Sequence, residues 1–135
     1  MPITPVSTLV ADAKAAITSL SAAEVRARLD AADMLLVDIR DRREIDREGR
    51  IPGAFHAPRG MLEFWVDPQS PYHKPILARP VQIVLYCASS WRSALAARDL
   101  QAMGLGNVAE LEGGFTAWKA TGGPIEATGT VAPEA

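Results

Sequence analysis

The chain has a single cysteine, Cys87, among its 135 residues. One thiol closes no internal disulfide and cannot supply the paired thiolates of a structural zinc site, so disulfide scaffolds and zinc fingers are excluded. Neither sign of charge is in excess. Fourteen Lys and Arg stand against 16 Asp and Glu, a formal charge of −2, and the electrostatic signature of a nucleic-acid or acidic-membrane partner is missing. Long apolar runs are missing too: charges interrupt each candidate well short of the roughly 20 residues a membrane span requires. No basic segment precedes the first apolar residues, and Asp12 and Lys14 fall where the hydrophobic stretch of a leader would lie. The expectation is a cytoplasmic protein with no membrane or nucleic-acid partner. His56 and His73 have no carboxylate or second ligand at metal spacing, so no metal is expected and both read as core or surface histidines.

What is present suits one ordinary domain. The composition is 48% hydrophobic and 22% charged, and a chain of this length builds a single core without covalent staples. Leu9, Ala13, Ala16, Ile17 and Leu20 recur at helical spacing and predict a short amphipathic helix. Ser21-Ala22-Ala23-Glu24 fits a capping box and opens a second helix with Val25 and Leu29 on one face. Met34–Val37 is a continuous apolar run that ends in polarity at Asp38, the pattern of a strand covered on both faces. Asp38–Arg50 is densely charged and reads as a turn and an exposed helix. Ile51–Phe55 fits a brief strand, and the proline-bearing stretch 61–80, with Phe64, Trp65 and Tyr72, a structured excursion.

Val81–Tyr86 is the clearest buried strand, and it runs through Cys87-Ala88-Ser89-Ser90-Trp91-Arg92 into a helix bearing Ala96, Ala97, Leu100 and Met103. Gly104 and Gly106 end that helix, Val108–Leu111 is another short strand, and Gly113-Gly114 opens a last helix with Phe115 and Trp118 as core residues. Strands separated by helical segments predict an α/β fold with a parallel sheet of about five strands and helices on both faces. The expected organisation is a helical extension over 1–33, a domain over 34–125 and a tail over 126–135.

In such sheets ligands bind at the carboxyl ends of the strands, and Cys87 stands at one. A thiol between a strand and a helix start meets the helix's unsatisfied amides and the positive end of its dipole, which favour a thiolate and a bound anion. Ser89 and Ser90 add hydroxyl donors and Arg92 a fixed cation. The bland reading of the same residues is a small buried hydrophobe with Ser89 as a helix cap.

The stretch Met34–Pro124 resembles a rhodanese-like sulfurtransferase domain through four motifs in order. Leu36-Val37-Asp38-Ile39-Arg40 with Glu44 resembles the family's Asp-Val-Arg segment, and Gly49-Arg50-Ile51-Pro52-Gly53-Ala54 resembles its Gly-His-Ile-Pro-Gly-Ala segment. Cys87 to Ser93 resembles its active-site loop, Cys-x-x-Gly-x-Arg-Ser. Gly113-Gly114-Phe115, Trp118 and Gly123-Pro124 resemble its closing pattern. The resemblance implies a Cys87 thiolate that takes the outer sulfur of thiosulfate or a related donor as a persulfide and passes it on, a covalent ping-pong reaction with no cofactor. By the same match, the loop Ala88, Ser89, Ser90, Trp91, Arg92 and Ser93 would hold the donor's charge, with Arg92 orienting it. With no second cysteine to resolve a persulfide, the acceptor must be external: cyanide, a thiol or a partner protein.

Cysteine phosphatases, the nearest rival class, use Cys-x5-Arg, whereas only four residues separate Cys87 from Arg92. Two positions depart from the family pattern. Arg50 stands for the common His, a surface change. Ser90 stands for the usual loop Gly, at a cost of about 1 kcal/mol if the backbone there is left-handed. Asp38 reads as a supporting acceptor of backbone or arginine hydrogen bonds or as a general acid or base, and Arg40 as its neighbour in support, paired with Glu44 across the next helical turn. Trp91 with Phe64, Trp65 and Tyr72 reads either as a pocket wall or as ordinary packing. A non-catalytic interaction module, a persulfide carrier and an oxidant sensor stay open as other functions, and the oligomeric state is not specified.

Overall fold

The computed structural model describes residues 2–128, so Met1 and residues 129–135 of the expected tails lie outside the described part. Five strands form one wholly parallel sheet: β1 (Ser19–Leu20), β2 (Met34–Asp38), β3 (Phe55–His56), β4 (Gln82–Tyr86) and β5 (Val108–Leu111), in spatial order β1-β5-β4-β2-β3. Among the described residues the α-helices are α1 (Val6–Ala16), α2 (Ala22–Ala27), α3 (Arg42–Glu48), α4 (Leu62–Val66), α5 (Trp91–Met103) and α6 (Gly114–Ala120). The sheet is the expected one, with β4 at its centre.

Because side chains alternate along a strand, the two faces sort by parity. Leu35 and Val37 of β2, Ile83 and Leu85 of β4, and Val108 of β5 pack with Leu62 and Val66 of α4 and Ala96, Ala97 and Leu100 of α5. Leu36, Val84, Tyr86, Ala109 and Leu111 face the other way, against Ala22 and Val25 of α2 and Phe115 and Trp118 of α6. Helix α1 lies over α5, with Val10 and Ala13 against Ala94.

The capping box forms as read, with Ser21 Oγ accepting from Glu24 N–H and the Glu24 carboxylate accepting from Ser21 N–H, at 3.1 and 3.0 Å. Three local readings change. The first helix stops at Ala16 instead of reaching Leu20: Ile17 turns extended, and Ser19 and Leu20 pair with Glu110 and Leu111 as an edge strand. β-branched Ile17 and Thr18 suit that conformation. The strand expected at Ile51–Phe55 is displaced to Phe55–His56, in register with Val37 and Asp38, because Ile51–Ala54 closes a turn through Ala54 N–H to Ile51 O, 3.1 Å. Arg40 does not pair with Glu44. It precedes the helix N-cap Asp41, and its side chain turns inward to Asp38.

The closing motif has a steric explanation. Trp118 is fully buried and donates its indole N–H to Pro124 O at 2.8 Å, while a Cβ on Gly123 would lie 2.4 Å from the indole ring.

Candidate active site

Cys87 directly follows β4 and continues its parity, so its side chain falls on the α5 face with Ile83 and Leu85. The residue is 1% exposed. Its Sγ accepts the Ser93 N–H at 3.4 Å and lies 3.5 Å from Ser93 Oγ, to which the thiol donates. The amides of a helix's first turn have no carbonyl one turn earlier to bond, so a first-turn donor of α5 is spent on the sulfur. Ser93 Oγ in turn donates to Glu110 Oε1 at 2.9 Å, and Ser19 Oγ donates to Glu110 Oε2 at 2.8 Å.

Of the loop residues, Ser89 and Trp91 are exposed, Ala88 and Arg92 partly covered, and Ser90 and Ser93 buried. Ser90, not Ser89, is the N-cap of α5, and its φ of 78° is the only left-handed value among the described non-glycine residues. Its hydroxyl does not cap the helix; it donates to Leu111 O at 3.1 Å and accepts the Gly113 N–H at 2.6 Å. The start of α6 braces the same loop from below: Phe115 N–H donates to Cys87 O at 2.8 Å and Thr116 N–H to Ala88 O at 3.0 Å. Gly114, at φ 61°, makes this approach possible, since a Cβ there would sit 2.5 Å from Cys87 O.

Arg92 reaches back to α3. Its two terminal nitrogens donate to both oxygens of Glu44, each at 2.8 Å, while Glu44 Oε2 also accepts the Asp41 N–H at 2.9 Å in a capping box. The Arg92 hydrogen bonds hold the Glu44 carboxyl down at about 2, and Glu44 raises Arg92 in return. The loop cation is thus a neutralised, oriented pair.

Asp38 and Arg40 are both 1% exposed and form a forked pair: Arg40 Nε to Asp38 Oδ1 at 3.0 Å and Nη2 to Oδ2 at 2.7 Å. Arg40 also donates to Gly49 O at 2.7 Å, and its guanidinium lies 4.3 Å from the Phe115 ring centre. Burial acts against the Arg40 charge, but the Asp38 contacts outweigh it and its pKa is raised. The pair therefore ties β2, the segment before Arg50, and α6 together beside the loop without touching the sulfur. Arg50 pairs with Glu126, side chain to side chain at 3.3 Å and through a two-residue bridge.

His56 Nε2 is bonded to Arg40 O at 2.7 Å and His73 Nδ1 to Trp65 O at 2.9 Å. Trp65 packs into the core beside Phe55, whereas Phe64 and Tyr72 form an exposed edge-on pair. A cavity of about 320 Å³ lined by Val66, Leu77, Met103 and Leu105 includes none of the loop residues.

Sequence reasoning missed Glu110, which is fully buried. A signal was available: in Val108-Ala109-Glu110-Leu111 the carboxylate shares the parity of Val108 and must face α5. The Arg92–Glu44 pair was missed as well, because its partners are 48 positions apart.

The geometry is that of a cysteine-loop α/β domain, and comparison with known proteins agrees. The rhodanese-like domain model matches residues 21–121, and the chain belongs to that family. A sulfurtransferase of Allochromatium vinosum is 37% identical over 105 residues, covering 78% of this chain and 85% of that protein. A Rhodopseudomonas palustris structure, described as a protein of unknown function and possible tyrosine phosphatase, is 51% identical with a TM-score of 0.88, covering 93% of this chain and 99% of that one. The thiosulfate sulfurtransferase of Pseudomonas aeruginosa is 32% identical with a TM-score of 0.71, covering 88% of this chain and 22% of that one. The family match and the two sulfurtransferases support a transferase role in the broad sense, with a sulfur donor and acceptor as partners. Among the described residues no helix is long and apolar enough to cross a membrane.

Proposed function

We propose that this protein transfers sulfane sulfur through a persulfide on Cys87, the reading carried by one observation: the chain's one thiol sits at the carboxyl end of the central strand with a helix amide bonded to its sulfur. In the first half-reaction the thiolate attacks the outer sulfur of thiosulfate. A Cys87 S–S bond forms, the donor's S–S bond breaks, and sulfite leaves with the electron pair. In the second, cyanide, a small thiol or a partner's thiol attacks the outer sulfur, and the electron pair of the broken bond returns to Cys87 Sγ.

The loop Ala88–Ser93 surrounds the transferred sulfur, and its amides supply most of the stabilisation of negative charge, because Arg92 is already paired with Glu44. Arg92 contributes orientation more than net charge. Asp38 and Arg40 act at one remove, fixing the loop's surroundings. Since Cys87 is 1% exposed, donor access requires local movement of the loop.

Intact mass after incubation with thiosulfate tests this directly. The expected result is a gain of one sulfur atom that is absent in Cys87→Ser and is discharged by cyanide as thiocyanate. No gain from thiosulfate, mercaptopyruvate or a persulfidated protein would transfer the argument to a non-catalytic module. The description of the Rhodopseudomonas palustris relative favours one other test, hydrolysis of an aryl phosphate. With four residues between Cys87 and Arg92 the loop is one short of the phosphatase cradle, and no Cys87-dependent hydrolysis is expected.

A further inference from the structure

The buried carboxyl of Glu110 has no use in the reaction as written. Among the described residues its carboxylate bonds to two hydroxyls, Ser93 at 2.9 Å and Ser19 at 2.8 Å, and forms no ion pair. An ionised carboxylate only accepts hydrogen bonds, and a serine hydroxyl has one proton to give. With that proton committed to Glu110, Ser93 Oγ turns a lone pair toward Cys87 Sγ 3.5 Å away, a geometry that suits a thiol and opposes a thiolate.

We propose that Cys87, Ser93 and Glu110 share one proton along this line, so that Glu110, a positioning residue acting through Ser93, governs when Cys87 is a thiolate. In the arrangement described, the thiol donates to Ser93 and Ser93 donates to the carboxylate. In the other, the S–H proton has moved to Ser93 Oγ and the former Ser93 proton to Glu110 Oε1; Glu110 donates to Ser93, and Ser93 donates to the thiolate. One S–H bond is exchanged for one carboxylic O–H bond, no electrons change hands, and the buried group keeps one negative charge instead of acquiring two. Ser19, exposed on edge strand β1, links the far oxygen of Glu110 to solvent and lets the proton leave after the sulfur is loaded.

The charged groups of the surrounding segments are paired with one another. Arg92 of α5 lies in the same turn as Ser93 and is held by Glu44 of α3. Asp38 of β2 is held by Arg40. Glu112, just beyond β5, pairs with Lys14 of α1. None of these pairs includes Glu110 or Ser93, the residues substituted below.

The inference rests on the sulfur-transfer reading for its purpose, but its test needs no sulfur donor. The pH profile of Cys87 alkylation by iodoacetamide, with the thiolate's ultraviolet absorbance as a second readout, is measured for the full chain and for Glu110→Gln and Ser93→Ala. Removing the charge and leaving an amide that can donate to Ser93 is expected to move the Glu110→Gln midpoint down by about one pH unit or more. Ser93→Ala cuts the line while the carboxylate remains, and its midpoint is expected to rise by a similar amount. Opposite shifts from two variants of one hydrogen-bonded line are not produced by loosened packing. An unchanged or raised midpoint in Glu110→Gln, or one that does not rise in Ser93→Ala, overturns the proposal. If Glu110→Gln does not fold, as judged by thermal unfolding, Ser93→Ala decides alone. Shifted midpoints with no persulfide from any donor would sink the sulfur-transfer reading and leave this one standing; persulfide formation with unshifted midpoints would do the reverse.

Discussion

Ser90 sets two physical effects against each other at one position. Its left-handed backbone, φ 78° and ψ −14°, costs a residue with a Cβ about 1 kcal/mol relative to glycine. Its buried hydroxyl bridges Leu111 O and Gly113 N–H. A net intramolecular hydrogen bond is worth about 1 kcal/mol, and a buried polar group left without a partner costs about 1–3 kcal/mol. Ser90→Ala keeps the strain and loses both bonds, so the expected destabilisation is about 3 kcal/mol. Ser90→Gly loses the same bonds and releases the strain, so the expected figure is about 2 kcal/mol. Urea denaturation of the three proteins reads both numbers, and the Ala–Gly difference isolates the backbone cost. Equal stability of Ala and Gly would refute the strain argument. A glycine variant more stable than the natural chain would show that the hydroxyl bridge contributes less than the strain, and that serine stands here for another reason. Persulfide loading is the second readout, since loss of the bridge removes one of the ties between the α6 start and the loop, and slower loading is expected in both variants.

Three further outcomes follow from the same geometry. Glu44, held at about 2 in place of 4.5, stabilises the fold fully above about pH 4.5, and that contribution is lost as pH falls toward 2; the shift alone would give a ceiling of about 3 kcal/mol, which solvent screening at half-exposed Arg92 reduces to about 1 kcal/mol. Glu44→Gln should therefore cost about that much at pH 7 and nothing near pH 2, and a deficit independent of pH in denaturation curves would refute the ion-pair origin. Gly114→Ala places a Cβ 2.5 Å from Cys87 O at a positive φ, so stability should fall by about 2–4 kcal/mol and sulfur loading should fall with it; a stable, active variant would remove the bracing role of α6. Trp91 is 49% exposed at the loop rim, so Trp91→Ala should change donor or acceptor preference while moving stability by less than about 1 kcal/mol; an unchanged preference, measured by comparing kcat/KM across donors, would return Trp91 to ordinary surface packing.

The parts of this molecule that could be read in its sequence are those whose cause is local. Apolar runs ending at Asp38 and Cys87 mark buried parallel strands, and Ser21 with Glu24 carries its capping box within four residues. The two-glycine start of α6 is legible for the same reason, as backbone conformation is set residue by residue. What escaped is pairing across distance. Arg40 and Glu44 have the spacing of a helical ion pair, yet Arg40 lies outside the helix and turns to a carboxylate two residues back, freeing Glu44 for an arginine 48 positions on. Each exchange improves the geometry: Arg40 gains a forked pair with a backbone acceptor and an aromatic face, and Glu44 gains both nitrogens of Arg92. Ser19 and Glu110 were hidden by the same rule. A two-residue strand has no periodicity to detect, and a glutamate in a four-residue strand reads as a break in an apolar run until the register places Ser19 opposite it. Buried polar groups are specified by partners that only the folded sheet assembles, which is why the least legible residues here are the ones that stand behind the sulfur.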